Sequence, residues 1–319
     1  MNFVHEPVLL EEVLAILQPQ PGDIFVDCTV GGGGHSLEIA SRITPHGKLV
    51  AIDRDSEAVA AASRRLQHFG EMVVFVQDNF RYLKGILASL GLEKVDGILL
   101  DTGVSSYQLD EGERGFSYHA DAALDMRMDR NGGITAAQLV NESSTEELAR
   151  IISDFGEELW ARRIAEFIVT RRQRSGPIRT TAELVETIKA AIPAKARRHG
   201  NHPARRTFQA LRIAVNDELA ALEQVLDNAL QVLRPGGRLA VITFHSLEDR
   251  LVKKKLQRAA GYCQCPPGLP QCSCGWKPQV KILTGKAVRP TVEEVAHNPR
   301  ARSARLRAAV KVLNERAGE

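Results

Sequence analysis

Over the first hundred residues the apolar positions switch repeatedly between two periods. "LLEEVLAIL" (9–17) has helical spacing, and "DIFVDCTV" (23–30) reads as a strand. The same alternation continues through helix "SLEIASRI", strand "KLVAIDRD", helix "SEAVAAASRRLQHF", strand "MVVFVQDNF", helix "YLKGILASL" and strand "VDGILLDTG". Strands and helices alternating at this pitch predict an α/β fold with a parallel sheet and helices on both faces. Continuously apolar strands fit that arrangement, because neither sheet face meets water. The strand readings end in acids, Asp27, Asp53, Asp78 and Asp101. Open α/β sheets bind ligands beyond the carboxyl ends of their strands. One acid there serves as a helix cap, but four in succession point to a polar ligand lying across the edge.

The pattern changes after Ser106. "YQLDEGERGFSYHADAALDMRMDRNGG" (107–133) has no clear period and reads as a long ordered loop, a feature that compact proteins mostly keep for function. Helices follow. "SSTEELARIISDF" and "TTAELVETIKAAI" open with the capping boxes Ser144 to Glu147 and Thr180 to Glu183. "EELWARRIAEFIVTRRQ" stops before Gly176-Pro177, and "PARRTFQALRIAVNDELAALEQVLDNALQVL" reads as one helix from Pro203 to "RPGG". The α/β pattern then returns with strand "GRLAVITFHSLEDR" and a last strand in "SARLRAAVKVL". The expected organisation is a core built from residues 1–110 and 213–319, interrupted by an inserted helical, basic domain at 111–212.

With 44% hydrophobic residues in 319, the chain can bury a sizeable core. Its longest apolar runs are far below the ~18 residues that span a bilayer, and the start "MNFVHEPVLLEEVLAIL" lacks a signal peptide's basic opening. A cytoplasmic protein with no membrane partner is expected. Charge sharpens the picture more. The net charge is +3, yet residues 162–212 hold thirteen Lys/Arg against Glu166, Glu183 and Glu186, an excess of about ten. That reads either as solvated helix faces or as a nucleic-acid surface. Cys263, Cys265, Cys272 and Cys274 lie within twelve residues. They could close a zinc site, although C-x-C is tighter than the usual ligand spacing, or stand as free thiols in a Pro-rich loop.

"VDCTVGGGGHS" (26–36) carries the candidate chemistry. Glycines between a strand and a helix let backbone approach a ligand closely. The dinucleotide pattern G-x-G-x-x-G/A is missed by one residue, since Gly31 and Gly33 are followed by Ser36, and no Gly-Lys-Ser/Thr of a phosphate loop follows. Asp27 before the glycines would repel a pyrophosphate but favour a cation, which points to S-adenosylmethionine (SAM) with its amino-acid end near Asp27. Asp53, some twenty residues on, suits ribose hydroxyls in either class. Asp78 or Asn79 could meet an adenine amine and Phe80 its ring, or these are turn residues and a core Phe.

The chain resembles the bacterial SAM-dependent small-subunit (16S) rRNA cytosine-N(4) methyltransferases over nearly its whole length. The resemblance rests on "HEPVLLEEVL", "GGGGHS", "AIDRD", "DTGVSSYQLDEGERGFSYHADAALDMRMD", "HPARRTFQALRIAVNDEL", "LRPGGRLAVITFHSLEDRLVK" and "NPRARSARLR". Thr102 and Tyr107 depart from the Leu and Pro usual in that family. The resemblance implies a Rossmann-like methyltransferase core interrupted by a helical substrate-recognition domain. It implies a SAM site made by Gly33, Gly34 and His35, with Asp53 on the ribose, Phe80 by the adenine, and Asp101 and Gln108 completing the pocket. The substrate it implies is a cytosine of 16S rRNA, at the decoding region of the small ribosomal subunit, and it allows a homodimer.

Methyl transfer to an exocyclic amine needs alignment and a proton acceptor, but no metal. Asp101, at a strand end, is expected to bridge cofactor and target amine, or to bind cofactor alone. His245 and Glu248 in "FHSLED" could face the base, with His245 as general base or as a structural residue. Arg171, Arg172, Arg197, Arg198, Arg205 and Arg206 are expected on RNA phosphates. The competing readings are an amino-methyltransferase for another nucleic acid and a nucleotide-binding module without catalysis.

Overall fold

The apolar runs of the first hundred residues form strands β1 (Ile24–Asp27), β2 (Lys48–Asp53), β3 (Val73–Gln77) and β4 (Val95–Asp101), separated by helices α1 (Leu10–Leu17), α2 (Gly34–Ile43), α3 (Ser56–Leu66) and α4 (Leu83–Ser89). The computed structural model describes residues 7–103, 114–197, 202–262 and 277–312. The chain forms two units, Val104–Glu218 and a second one made of Met1–Gly103 with Leu219–Glu319.

In the helical unit the described residues form α5 (Ala136–Glu142), α6 (Thr145–Gly156), α7 (Ala161–Ser175), α8 (Thr181–Ala191), the single turn α9 (Ala194–Arg197) and α10 (Arg205–Asn216). Leu148, Ile152, Ile164, Ile168, Leu184, Ile188 and Leu211 are among the side chains of one apolar core. The Thr180–Glu183 capping box forms in both directions, while Ser144 caps α6 by accepting from Glu147 N alone. α5 was not expected from the sequence, although it too carries a full capping box, Thr135 with Gln138. The single helix read over 203–233 is in fact two. Asp217 turns left-handed at φ 48° and ends α10. Asp tolerates that conformation better than most residues, and Arg212 forks onto Glu218 at 2.8 Å across the break.

The chain returns to the sheet unit through α11 (Glu218–Val232), β5 (Leu233–Thr243), α12 (Ser246–Ala259), β6 (Val280–Ile282), α13 (Val292–His297) and β7 (Arg305–Lys311). The sheet order is β3-β2-β1-β4-β5-β7-β6. β1 to β5 pair in parallel, so their carboxyl ends lie along one edge. β7 runs antiparallel between β5 and β6, which the sequence reading did not distinguish. Both faces are covered. Val26, Val50, Ile52, Ile98 and Leu100 enter one core, and Phe25, Leu49, Ala51 and Leu99 the other. This is the period-2 alternation of strands buried on both sides. No described helix is long and apolar enough to cross a membrane.

Candidate cofactor and active site

The glycine run forms the turn from β1 into α2. Gly33 stands at φ 76°, a left-handed conformation that a side chain resists, and serves as the N-cap. A Cβ on Gly34 would sit 3.2 Å from the Pro7 ring. The backbone therefore turns tightly at the edge of the sheet, where amides at a helix N-terminus carry partial positive charge.

Asp27, expected near the cationic end of the cofactor, lies beneath the glycine turn with its carboxylate bonded to Thr29 and Ser36. It is 1% exposed. One carboxylate oxygen accepts from Thr29 N at 3.0 Å and the other from Ser36 Oγ at 2.7 Å. Asp27 therefore shapes the glycine turn from beneath. Burial pushes its pKa up to about 6, against the hydrogen bonds from Ser36 and Thr29, and the Asp53 charge adds to the rise. Ser36, nine residues on, enters the sequence reading only as the residue that breaks the dinucleotide pattern; its position in the first turn of the helix after the glycines is the signal that could have revealed its bond to Asp27.

Asp53 closes the turn from β2. Its Oδ2 accepts from Gly31 N and its Oδ1 from Asp55 N, both at 3.0 Å. A carboxylate has about four acceptor positions, so two hydroxyls can still be held. Burial raises its pKa, opposed by those two amides. After β3, Asp78 Oδ1 takes the Asn79 amide at 2.6 Å and Asn79 Oδ1 takes the Arg81 amide at 3.0 Å. Both polar residues are thus part of the turn, while half-buried Phe80 packs against the core.

Asp101 ends β4, anchored by its own amide on Thr29 Oγ1 at 2.6 Å. Among the described residues its buried Oδ1 has no hydrogen-bond partner. Its Oδ2 lies 3.7 Å from His35 Nδ1, and His35 Nε2 is 2.9 Å from the Val8 carbonyl. Burial pushes the Asp101 pKa well above the usual carboxylate range, and the charges of Asp27 and Glu248 push the same way. Thr102, one of the two departures from the family pattern, is buried with its Oγ1 on Ile242 O at 2.9 Å. Gln108, Ser105, Ser106, Tyr107 and the four clustered cysteines lie outside the described residues.

His245 is the N-cap of α12. Its Nδ1 accepts from Glu248 N at 3.4 Å, and Glu248 Oε2 returns to the amides of Phe244 and His245 at 3.0 and 3.3 Å. His245 Nε2 lies 3.3 Å from Glu248 Oε1, outside hydrogen-bond geometry. With Nδ1 accepting, the neutral ring carries its proton on Nε2. The helix behind it is held by Asp249, which binds Arg307 at 2.6 Å and Arg305 at 2.9 Å. Those arginines stand two apart on β7 and so share one face, a spacing visible in "SARLR".

In the helical unit, Arg171 and Arg172 are turned inward rather than towards a partner. Arg171 reaches Gly176 O and Glu183, and Arg172 reaches Val140 O and Ser143 O at 2.6 and 2.7 Å. Those are carbonyls at the end of α5, which a cation suits. Arg197, Arg205 and Arg206 are exposed, and Arg198 lies outside the described residues.

The sheet unit's donor set fits S-adenosylmethionine. A tight glycine turn, a carboxylate able to take two hydroxyls and a buried carboxyl with an unpartnered oxygen suit a cationic nucleoside. The same acids would oppose a pyrophosphate. Residues 2–312 match the model of the MraW methylase family. The chain is 60% identical to "Ribosomal RNA small subunit methyltransferase H" of Symbiobacterium thermophilum, over 98% of each chain. It is 56% identical to the protein of the same name from Heliobacterium modesticaldum, over 98% of this chain and all of that one. A putative rRNA methylase structure from Clostridium thermocellum aligns over 95% of both chains at TM-score 0.45 and 12% identity. A family match across almost the whole length, joined to a sheet whose acid edge suits a sulfonium nucleoside, makes this chain a member of the MraW methylase family, with S-adenosylmethionine as its cofactor.

Proposed function

We propose that this protein methylates the exocyclic N(4) amine of a cytosine in 16S rRNA, in the decoding region of the small ribosomal subunit. SAM-dependent methylation of small-subunit rRNA follows from relatives of that name at 51–60% identity; the base and its position are the finer reading. The observation that carries it is Asp101, a buried carboxyl at the strand end beside the glycine turn, one of whose oxygens has no hydrogen-bond partner among the described residues.

Bound SAM supplies an electrophilic methyl group. The chain must supply alignment and somewhere for a proton to go. The lone pair of a cytosine amine is delocalised into the ring, so the amine attacks well only as its N–H is drawn off. Asp101 is the acceptor in this reading. His245, proton on Nε2, orients the base by donating to it, and Glu248 locks that ring. Gly33, Gly34 and His35 hold the methionine end, Asp53 the ribose and Phe80 the adenine, and Gln108 is read as completing the pocket with Asp101. The base has to leave its stack to reach such a site. The insert at 111–212 is read as the RNA-recognition domain, with Arg197, Arg205 and Arg206 on phosphates of a single-stranded or loop target.

Incubation with methyl-labelled SAM and small ribosomal subunits lacking the modification, followed by nucleoside analysis, tests this. The expected label is in N(4)-methylcytidine. Label in another nucleoside, or none, overturns the reading.

A further inference from the structure

Residues 250–290 hold nine Lys/Arg and no Asp or Glu. With +3 over the whole chain, the residues outside this stretch carry a net −6. The basic insert keeps three acids among its cations at 162–212; this stretch of the sheet unit keeps none.

The fold gathers much of that charge on one helix. One side of α12 buries Val252, Leu256 and Ala259 in the core of the sheet unit. The opposite side carries Arg250, Lys253, Lys254 and Arg258, all exposed. Their spacing of three, four and eight residues puts them on one face. Lys255 is turned aside and held by Asp227 and Glu223 of α11 at 2.8 and 3.0 Å. The acids of α12 itself, Glu248 and Asp249, are buried. Beyond the helix, the Gln279 amide donates to Ala259 O at 2.7 Å, which brings exposed Lys277 back near its end.

A solvated helix surface does not need this arrangement. Such surfaces mix the two signs, as α2 does with Glu38 and Arg42, four residues apart and 2.6 Å from one another. On α12, Arg250 with Lys254 and Lys254 with Arg258 set like charges four apart, which opposes the helix. Lys253 and Lys254 make no ion pair among the described residues. A row of cations that its own helix does not neutralise suits an anion of repeated charge. The helix also starts at the candidate site. Asp101 pairs with Ile242 across β4 and β5, and His245, three residues on, is the N-cap of α12. From Arg250 to Arg258 the face covers about 12 Å of helix axis.

We propose that the outer face of α12, with Lys277 at its end, is a phosphate-binding track for the RNA strand that carries the target base. It rests on the functional reading given above and adds a second RNA surface, in the sheet unit, to the one read in the insert. Lysines act there as point charges on the backbone, so the track sets the course of the strand and is indifferent to its sequence.

Titration of the full-length protein into a labelled single-stranded RNA of mixed sequence, over a series of salt concentrations, tests this. Each phosphate contact on a single strand contributes about 0.7 to the slope of log affinity against log salt. Lys253→Gln with Lys254→Gln should therefore lower the slope by about 1.4 and weaken binding at low salt, with SAM affinity unchanged. Arg64→Gln with Lys84→Gln removes the same charge from exposed positions on α3 and α4 and should leave the slope as it is. If the parent's slope is steep and the α12 variant keeps it, or if both double variants lose it equally, the track falls and the RNA reading stands. A parent whose RNA binding ignores salt brings down the RNA reading as well. Unchanged RNA binding together with lost binding to vesicles of anionic lipid assigns the face to a lipid surface and overturns the proposal.

Discussion

Acids at the carboxyl edge of the sheet and acids paired with arginines in the helical unit shift in opposite directions. Along the carboxyl edge of the sheet, burial holds Asp27, Asp53 and Asp101 above the ordinary range. In the helical unit, burial also pushes Asp125 upward, but the hydrogen bonds and charge of Arg127, at 2.7 Å, outweigh it and its pKa falls. Glu183 is held low chiefly by the Arg179 amide. The difference lies in the partners. In the helical unit acids and arginines neutralise one another and finish helix ends. At the sheet edge the acids are held mainly by amides and hydroxyls, and the Arg54 charge beside Asp53 does not offset burial. A region that keeps acids together with so little compensating charge is less stable than it could be, and that is the usual mark of a binding site.

The largest expected effect comes from removing one of those acids. Asp101→Asn keeps the shape and loses the proton acceptor, and turnover should fall by about 100-fold or more. The same change should stabilise the ligand-free protein at high pH. The sign follows from the raised pKa. Stability from this group is full below the unfolded carboxylate value and is lost as pH rises towards the folded value. The variant's advantage in thermal midpoint should therefore grow from pH 5 to pH 8. A variant less stable than the parent at pH 8 would mean that the sheet edge is balanced like the helical unit.

Arg172→Ala probes the opposite side of the contrast. It strips the two carbonyls at the end of α5, Val140 O and Ser143 O, of a charged donor. Hydrogen bonds to charged groups are worth about 1.5–3 kcal/mol, so urea unfolding should show a loss of about 2 kcal/mol. RNA affinity measured against salt should keep its slope. A shallower slope with stability unchanged would return Arg172 to the RNA-binding set.

How far the chain could be read in advance differs between these regions for the same physical reason. The strands, their terminal acids and the α/β class were legible because period and strand ends are local. The capping boxes at Thr180 and Thr135 are equally local, although the second, just past the stretch read as loop, has no counterpart in the sequence reading. What Asp27 faces was not legible, since that depends on Ser36 closing back over it. Nor was the use of Arg172, whose partners lie about thirty residues earlier in the chain. The break at Asp217 was hidden because apolar spacing continues on both sides of it. His245 illustrates the limit most directly: at a strand end it reads either as a general base or as a structural residue, and its place as N-cap, with Nδ1 accepting from the Glu248 amide, is set by the folded turn.

The smallest effect in free energy separates charge that finishes a helix from charge that meets a partner. Arg205 and Arg206 are exposed in the first turn of α10, where a cation does nothing for the helix dipole and slightly opposes it. Replacing both by Ala should therefore leave stability within about 0.5 kcal/mol of the parent. If they lie on phosphates of a single-stranded target, each removes about 0.7 from the slope of log affinity against log salt. The double variant should then be shallower by about 1.4, while binding at low salt falls. A slope unchanged within error would leave these arginines as solvated helix surface. The excess of positive charge between residues 162 and 212 would then have to meet RNA elsewhere along that stretch, or not at all.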